Sequence, residues 1–530
     1  MAPTFLLFVG TFVHLPRTSP KASKALEIRQ GALWVSTADG RIKGSDWSIF
    51  NEDDLSLFLR AKGWVISEDE FCCKSKTSVT IIRAREEQNE FFFPGFIDTH
   101  IHAPQYPNCG IFGSSTLLNW LSTYVFPMEA SFGGSQSSAP PRAYMVYNQV
   151  VSRTLAHGTT FASYYGTIHV PATNLLATVC QKRGQRALIG RVCMDRKEKC
   201  PDYYRDCSAE ESVKLTRDVI AHIRSIDPHG ILVKAVVTPR FALSCTEKAL
   251  TNLSRLANDS SPNLFIQTHI AENKQEVKDV ESMYKMKYAR VYDKFGLLTP
   301  RTILAHGVHL SSSEHKLIHE RGAKIAHCPT SNSALTSGIC PVRKVLDSGI
   351  TVGLGTDVSG GYSPSILEVV RQACLVSRLL PAEECRDNCD RCQCERSNDE
   401  PSESSSGENT PAESSADQCE DRRSRKCYNP VLSVEEALYL ATRGGAAAVN
   451  MANELGGFDI GMSWDAQLIQ LGAFSPAGKY ANGKGHIDIF GWEKWEEKIH
   501  KWVWNGDDRN VKGVWVAGKM VFGNRHAECK

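Results

Sequence analysis

Apolar and polar positions follow two different patterns along this chain, and the pattern changes near residue 94. Before it, short apolar stretches separated by turn-forming and charged residues predict β-strands at 6–13, 32–35 and 79–82. The same texture returns late in the chain, where 464–471 is typical of one strand and 513–522 of a hairpin around Ala517-Gly518. We therefore predict one small β-sandwich domain that is built from both termini, 1–93 and 456–530.

Between 94 and 455, apolar segments alternate with longer amphipathic segments. Several apolar segments are nearly continuous, as expected for strands that are buried on both faces. They lie at 158–162, 186–193, 232–237, 264–269, 302–306, 324–327 and 350–354. This alternation predicts an α/β fold, a parallel (β/α)8 TIM-like barrel. A late helix is predicted to begin at Ser433, which is followed three residues later by Glu436 in a capping-box pattern.

One stretch within the barrel region, 381–430, is dominated by charged residues, Ser, Pro and Asn. This composition predicts a disordered insertion. It contains Cys385, Cys389, Cys392 and Cys394, a cluster that could bind zinc. Free thiols are the favoured interpretation, because no second pair with standard spacing follows.

Composition excludes several classes of partner. The formal net charge of +2 is too small to create a strong positive field that would attract nucleic acid. No apolar run reaches the roughly 18–20 residues that span a bilayer. The apolar stretch 5–9 lacks a basic flank, so we interpret it as a strand rather than a signal peptide. Without such a signal, the 18 cysteines favour reduced thiols and a cytosolic protein.

The candidate chemistry begins at the end of the apolar stretch that starts at Pro94. Residues i and i+2 share a face of a strand, so His100 and His102 can point the same way. Two such imidazoles form half of a site for a divalent transition metal. The spacing alone leaves open a second interpretation, in which both histidines lie in a loop and make ordinary hydrogen bonds.

Further polar residues follow later predicted strands, namely His269 with Glu272, His306, His327 and Asp357. In (β/α)8 enzymes the carboxyl ends of the strands carry the chemistry. His100, His102, His269 and Asp357 would offer a metal three imidazoles and a carboxylate, with one position left for water. Any one of these histidines alone would be interpreted as an ordinary buried histidine. Their common placement at strand ends is what indicates a site.

These residues stand in the motifs P-G-x-x-D-x-H-x-H, H-x-x-E, A-H-G, H-C-P and G-x-G-T-D, in that order. The chain thereby resembles the metal-dependent amidohydrolase superfamily, and further the members of it that deaminate guanine. The closer resemblance lies in 10–14, 98–106, 192–195, 238–241, 331–332, 360–363 and 506–510. It covers nearly the whole chain except 381–430 and parts of 45–90.

The resemblance implies zinc-dependent hydrolysis of guanine to xanthine and ammonia. Asp357 would orient the zinc-activated water and accept its proton, and Glu272 would shuttle protons to ring nitrogen N3 and to the leaving amine. His306 would stabilise the developing oxyanion. Dinuclear relatives carry a bridging lysine on a mid-barrel strand, where this chain has Arg240, which cannot be carboxylated. One zinc ion per subunit is therefore expected.

Substrate-reading residues follow from the same resemblance. Arg240 can donate to the O6 and N7 acceptors of guanine, although a surface ion pair is its alternative role. Gln105 suits the N1–H and O6 edge, and Phe241 offers a flat face for the purine, although an ordinary core phenylalanine is its alternative role. Phe126-Pro127 is expected to wall the pocket. Three of the predicted metal ligands, His102, His269 and Asp357, are also expected to contact the substrate.

Two other functions stay open on the sequence. A related aminohydrolase could act on a triazine, a pterin or an adenosine-like ring; Arg240 and Gln105 disfavour the triazine and adenosine but not the pterin. A non-catalytic relative could bind a protein partner such as a cytoskeletal protein, but every ligand and the shuttle glutamate are present. We expect guanine and water as the ligands and a homodimer as the assembly, although no motif determines the oligomeric state.

Overall fold

The structure, a computed structural model, describes residues 4–17, 26–66, 77–135, 137–389, 429–472 and 486–523. Within these ranges, no helix is both long enough and apolar enough to cross a membrane.

The strands fall into three groups along the chain. The first group is β1 (Thr4–His14), β2 (Glu27–Ser36), β3 (Ile42–Asp46), β4 (Val65–Ile66), β5 (Ser78–Arg83) and β6 (Glu90–Pro94). The second is β7 (Phe96–His102), β8 (Thr159–Tyr165), β9 (Arg186–Gly190), β10 (Val192–Cys193), β11 (Val233–Pro239), β12 (Phe265–Ile270), β13 (Thr302–His306), β14 (Lys324–His327) and β15 (Val352–Leu354). The third is β16 (Ala466–Gln470), β17 (Val511–Val516) and β18 (Lys519–Gly523).

The second group forms the predicted barrel. Its parallel strands are ordered β15-β14-β13-β12-β11-β9-β8-β7, and the short β10 pairs with β11. The first and last strands meet where the Thr99 hydroxyl donates to the carbonyl of Leu354 at 2.9 Å. The result is a nearly closed eight-stranded barrel, which confirms the predicted fold class. The predicted strand at 186–193 is divided in two, because Arg191 lies between β9 and β10.

Helices connect the barrel strands, and the longer ones pack apolar faces on the sheet. They span Pro141–Ala156, Val170–Arg183, Ala209–Ile226, Glu247–Asn258, Lys274–Tyr284, Tyr288–Lys294, Ser312–Glu320, Val342–Asp347 and Ile366–Cys389. Further helices span Glu52–Lys62, Leu117–Trp120, Phe126–Ala130, Pro329–Ala334, Val434–Tyr439, Gly445–Ala448 and Trp495–Asn505. Ser433 caps the helix Val434–Tyr439 in a capping box with Glu436, as the sequence predicted.

The first and third groups of strands form one mixed nine-stranded sheet, which confirms that both termini build the second unit. Its main order is β18-β17-β16-β6-β1-β2-β3, with β5 on β1 and β4 on β5. An aromatic cluster that includes Phe8, Phe92, Trp464 and Trp515 is buried on this sheet. The predicted hairpin turn is confirmed at Ala517 and Gly518, whose positive φ angles of 49° and 73° suit a tight two-residue connection.

The chain passes from the mixed sheet to the barrel between Pro94, where β6 ends, and Phe96, where β7 begins. The exact domain boundaries stay a prediction. The helix Ile366–Cys389 continues into the stretch predicted to be a disordered insertion from residue 381. Residues 390–428, which include Cys392 and Cys394, lie outside the described residues, so the proposed role of the four cysteines stays a prediction.

Candidate active site

The four predicted metal ligands converge at the carboxyl end of the barrel. Their ligand atoms all lie within 4.8 Å of one another. Oδ1 of Asp357 is 3.1 Å from Nε2 of His100 and 3.4 Å from Nε2 of His102. Nε2 of His102 lies 3.1 Å from Nε2 of His269. The alternative interpretation, two loop histidines with ordinary hydrogen bonds, is therefore excluded, since both lie on β7 and face the same cluster.

The protonation of this cluster suits metal binding. Burial lowers the pKa of His100 below its ordinary value and lowers the pKa values of His102 and His269 further. Burial alone would raise the pKa of Asp357, but His100 and the neighbouring imidazoles outweigh it, so the pKa is lowered. Three neutral imidazoles and one carboxylate form a donor set that fits a divalent transition metal.

Neighbouring groups fix these ligands. Nδ1 of His269 lies 2.7 Å from the backbone carbonyl of Arg240, so that this nitrogen donates and Nε2 faces the cluster. The buried carboxylate of Asp98 accepts hydrogen bonds from the backbone N–H of His100 and from the backbone and hydroxyl of Thr356. Asp98 thereby ties the end of β7 to the loop that carries Asp357. Asp357 has a φ of 47°, a backbone conformation rare outside glycine and common at functional sites.

Glu272 and His306 lie beside the ligand cluster. Oε2 of Glu272 is 3.4 Å from Nε2 of His306, which in turn is 3.7 Å from Oδ2 of Asp357. Burial raises the pKa of Glu272 to about 7, although His306 opposes this shift. Burial lowers the pKa of His306, but the charges of Glu272 and Asp357 outweigh it and raise that pKa. A carboxyl group with such a pKa can both accept and donate a proton near neutral pH.

Hydrogen bonds hold both of these side chains in place. The hydroxyl of Ser337 donates to Oε1 of Glu272 at 3.1 Å. The backbone N–H of Glu272 donates to the buried carboxylate of Glu276 at 2.9 Å. Nδ1 of His306 contacts Oδ1 of Asn332 at 2.9 Å, which leaves Nε2 of His306 facing Glu272.

A cavity opens beside the ligands. All of the predicted substrate contacts line it: His102, Gln105, Arg240, Phe241, His269 and Asp357. Glu272 and Glu276 also face it, and the remaining wall is apolar, formed by Leu117, Trp120, Leu121 and Leu335. The expectation that Phe126-Pro127 walls the pocket is wrong, because neither residue lines the cavity. The ring of Phe126 instead packs 5.2 Å from the guanidinium carbon of Arg240.

Arg240 does not form a surface ion pair, because it is 2% exposed. Its two terminal nitrogens donate to the carboxylate of Glu129 at 2.6 and 3.1 Å. Glu129 also accepts hydrogen bonds from Nε2 of Gln105 and from the hydroxyl of Tyr204, each at 2.7 Å. Sequence reasoning missed Glu129. The available indication was a single acidic residue within a largely apolar segment.

Two further buried residues at the carboxyl ends of barrel strands, Tyr165 and His327, were not predicted to have a role. The ring of Tyr165 packs against His100, His102 and His269, with centroid distances of 4.7, 4.6 and 5.0 Å. It therefore restrains the orientation of all three imidazoles. His327, which belongs to the H-C-P motif, is fully buried, and burial lowers its pKa to about 3.

Comparisons with known proteins agree with this geometry. The profile of the amidohydrolase family matches residues 91–393 and 405–521. The chain is 43% identical to a probable guanine deaminase of Schizosaccharomyces pombe, over 82% of this chain and 72% of the relative. It is 37% identical to the guanine deaminase of Mus musculus, over 98% and 97% of the two chains. The crystal structure of guanine deaminase from C. acetobutylicum with bound guanine has a TM-score of 0.74 at 27% identity, and the match covers 98% of this chain and 100% of that one. The chain therefore belongs to the amidohydrolase family and, within it, to the guanine deaminases.

Proposed function

We propose that this protein hydrolyses guanine to xanthine and ammonia with the help of one zinc ion. The observation that carries the proposal is the buried cluster of His100, His102, His269 and Asp357 at the edge of a cavity that Arg240 and Gln105 also line. The similar guanine deaminases, and the guanine bound in the crystal structure of one of them, support guanine as the substrate.

His100, His102, His269 and Asp357 would hold the zinc ion. When bound, zinc supplies Lewis acidity that lowers the pKa of water towards ~7. A single ion fits this donor set, because the position of a bridging lysine in dinuclear relatives is taken by Arg240, which stays protonated and is engaged by Glu129.

The remaining steps move protons between water and guanine. Asp357 orients the attacking water and accepts its proton as oxygen adds to C2, the carbon that carries the exocyclic amine. Glu272 delivers one proton to N3 and assists protonation of the amine, which leaves as ammonia. The pKa of Glu272, which burial raises to about 7, suits both directions of transfer. His306, whose pKa is raised by Glu272 and Asp357 against the effect of burial, stabilises the developing oxyanion.

Recognition of the purine is assigned to the other residues that line the cavity. Two N–H groups of Arg240 bind Glu129, which leaves three of the five in a guanidinium for other acceptors. Its Nε and adjacent terminal nitrogen form a second fork that matches O6 and N7 of guanine. Phe241 lines the cavity and offers the ring a flat contact. His102, His269 and Asp357 contact the substrate at its reacting end.

A direct assay tests this proposal. Zinc-loaded protein should convert guanine to xanthine, seen as an absorbance change with equal release of ammonia, and should contain about one zinc per chain. Adenosine, a triazine and a pterin should be poorer substrates. A pterin turned over faster than guanine would move the protein to another substrate class, and two activity-linked metal ions per chain would contradict the single-ion site. We also propose a homodimer in the cytosol, which sedimentation and cell fractionation would test.

A further inference from the structure

Glu129 is fully buried on the short helix Phe126–Ala130, and its carboxylate accepts four hydrogen bonds. The donors are Gln105, Tyr204 and both terminal nitrogens of Arg240. Two of these donors, Gln105 and Arg240, line the cavity. Glu129 itself is absent from the cavity wall, so it can act on a substrate only through them.

The carboxylate determines which way the amide of Gln105 points. An ionised carboxylate only accepts hydrogen bonds, whereas an amide has one accepting end and one donating end. Gln105 must therefore turn Nε2 towards Glu129, as its 2.7 Å contact requires. Its Oε1 is left as the free end, with a single long contact of 3.5 Å from the hydroxyl of Ser359. Gln105 consequently presents a hydrogen-bond acceptor, its Oε1, to the cavity.

The same carboxylate fixes the guanidinium of Arg240. The two bonds from its terminal nitrogens hold the group end-on, and the ring of Phe126 covers it at 5.2 Å. Both members of the ion pair are almost completely buried, so loss of either partner would leave an uncompensated charge. Arg240 thus presents only donors to the cavity, in a fixed plane.

We propose that Glu129 is a positioning residue that sets the hydrogen-bond polarity of the substrate-reading edge, an inference that rests on the proposed function. Gln105 held as an acceptor matches a ring N–H, and Arg240 held as a donor matches a carbonyl oxygen. The edge therefore selects a lactam, such as N1–H and O6 of guanine. A purine with an unprotonated N1 and a 6-amino group presents the opposite polarity to both residues and is rejected.

The decisive comparison is between guanine and 2,6-diaminopurine, which keeps the 2-amino leaving group but reverses the polarity of the edge. In Glu129→Gln, the new amide can offer either its oxygen or its nitrogen, so Gln105 is free to turn around. We expect kcat/KM for guanine to fall by about 10²-fold, while the preference for guanine over 2,6-diaminopurine falls by about tenfold or more.

Two variants separate positioning from a general structural role. Tyr204→Phe removes one hydrogen bond from the same carboxylate but leaves its contacts with Gln105 and Arg240, so the substrate preference should persist. Glu129→Asp retains an acceptor-only carboxylate, so it should keep the preference even where overall turnover declines. An unchanged preference in Glu129→Gln, with equal losses for both substrates, would overturn the inference.

Failure of the proposed function is distinguishable from failure of this inference. Wild-type protein that does not deaminate guanine would refute the function; wild-type activity with an unchanged preference in Glu129→Gln would refute only the role of Glu129. If Glu129→Gln does not fold, inhibition of the wild-type protein carries the test. Hypoxanthine, which has the lactam edge, should bind about tenfold or more tightly than adenine, which reverses it. Equal inhibition would overturn the proposed polarity.

Discussion

The backbone carbonyl of Arg240 accepts hydrogen bonds from His269, from Nδ1 at 2.7 Å and from the backbone N–H at 3.2 Å. The side chain of Arg240 meanwhile lines the cavity. One residue thus orients a proposed metal ligand, His269, with its backbone and lines the proposed substrate cavity with its guanidinium. The two roles are separable, because a substitution changes the side chain and leaves the carbonyl in place.

Arg240→Lys should therefore impair recognition of guanine without removing the metal. Lysine keeps the charge but loses the planar fork that can bind Glu129 and the substrate together. We expect kcat/KM for guanine to fall by about 10²-fold, equivalent to roughly 3 kcal/mol. Steady-state kinetics and metal analysis of the purified variant test this. Unchanged guanine turnover would show that Arg240 does not read the base.

Arg186→Lys provides a matched control. Arg186 is also a buried arginine paired with a carboxylate through two nitrogens, to Asp465 at 2.7 and 3.2 Å. It stands at the first residue of β9, at the opposite end of that strand from the active site, and joins the barrel to the mixed sheet. Its replacement should lower thermal stability and leave the KM for guanine near the wild-type value.

Glu272→Gln should retain zinc and fold but lose turnover. The amide has nearly the same shape and can keep the hydrogen bond from Ser337, but it cannot carry a proton. Loss of one positioned proton-transfer group costs roughly 10²–10⁴-fold in rate. Single-turnover measurements with a metal assay test this. Near-normal kcat in a zinc-replete variant would exclude Glu272 as the shuttle.

The sequence predicted the metal ligands because each follows an apolar strand in a short motif. Parallel strands bring their carboxyl ends to one rim, so His100, His269 and Asp357 meet although they are far apart in the chain. The inference depends on the predicted barrel and on the common placement of these residues at strand ends, because the spacing of two histidines alone left a second interpretation open.

Glu129 could not be predicted in the same way. Its partners Gln105, Tyr204 and Arg240 are 24, 75 and 111 residues away in the chain. The residue lies on a short helix rather than at the end of a strand, so no periodic pattern marks it. Its role depends on the packing of side chains from several loops, which a single sequence does not specify.

His100→Ala should lose both metal and activity. It removes one of four ligands from the cluster, and it also removes the imidazole that is 3.1 Å from Asp357. Three remaining ligands leave a weaker site, and an uncompensated buried carboxylate adds a further cost. Zinc content after dialysis, together with guanine turnover, tests this. A variant that still binds one zinc per chain tightly would show that His100 is not a ligand.

His14, at the end of β1, provides a test of how acid affects stability away from the active site. Its side chain is buried, with Nδ1 at 3.5 Å from Arg443. Burial, followed by the positive charge of Arg443, lowers the pKa of His14 to about 4, against the opposing charge of Asp459. Glu27 lies 3.2 Å from Nε2, but its side chain is 39% exposed, so solvent weakens its effect.

The sign of the pH dependence follows from this lowered pKa. The unfolded chain protonates His14 near 6.5 and the folded protein only near 4, so between these values the unfolded state binds more protons. The contribution of neutral His14 to the free energy of unfolding is fully present above pH 6.5. As the pH falls towards 4, about 3 kcal/mol of it is lost.

The free energy of unfolding, measured with denaturant at pH 7.5 and at pH 5, should therefore differ less between the two pH values in His14→Gln than in the wild type. Glu27→Gln, which changes only the exposed partner, should keep the wild-type difference. If the wild type and His14→Gln lose the same free energy of unfolding between pH 7.5 and 5, His14 does not cause this part of the acid sensitivity.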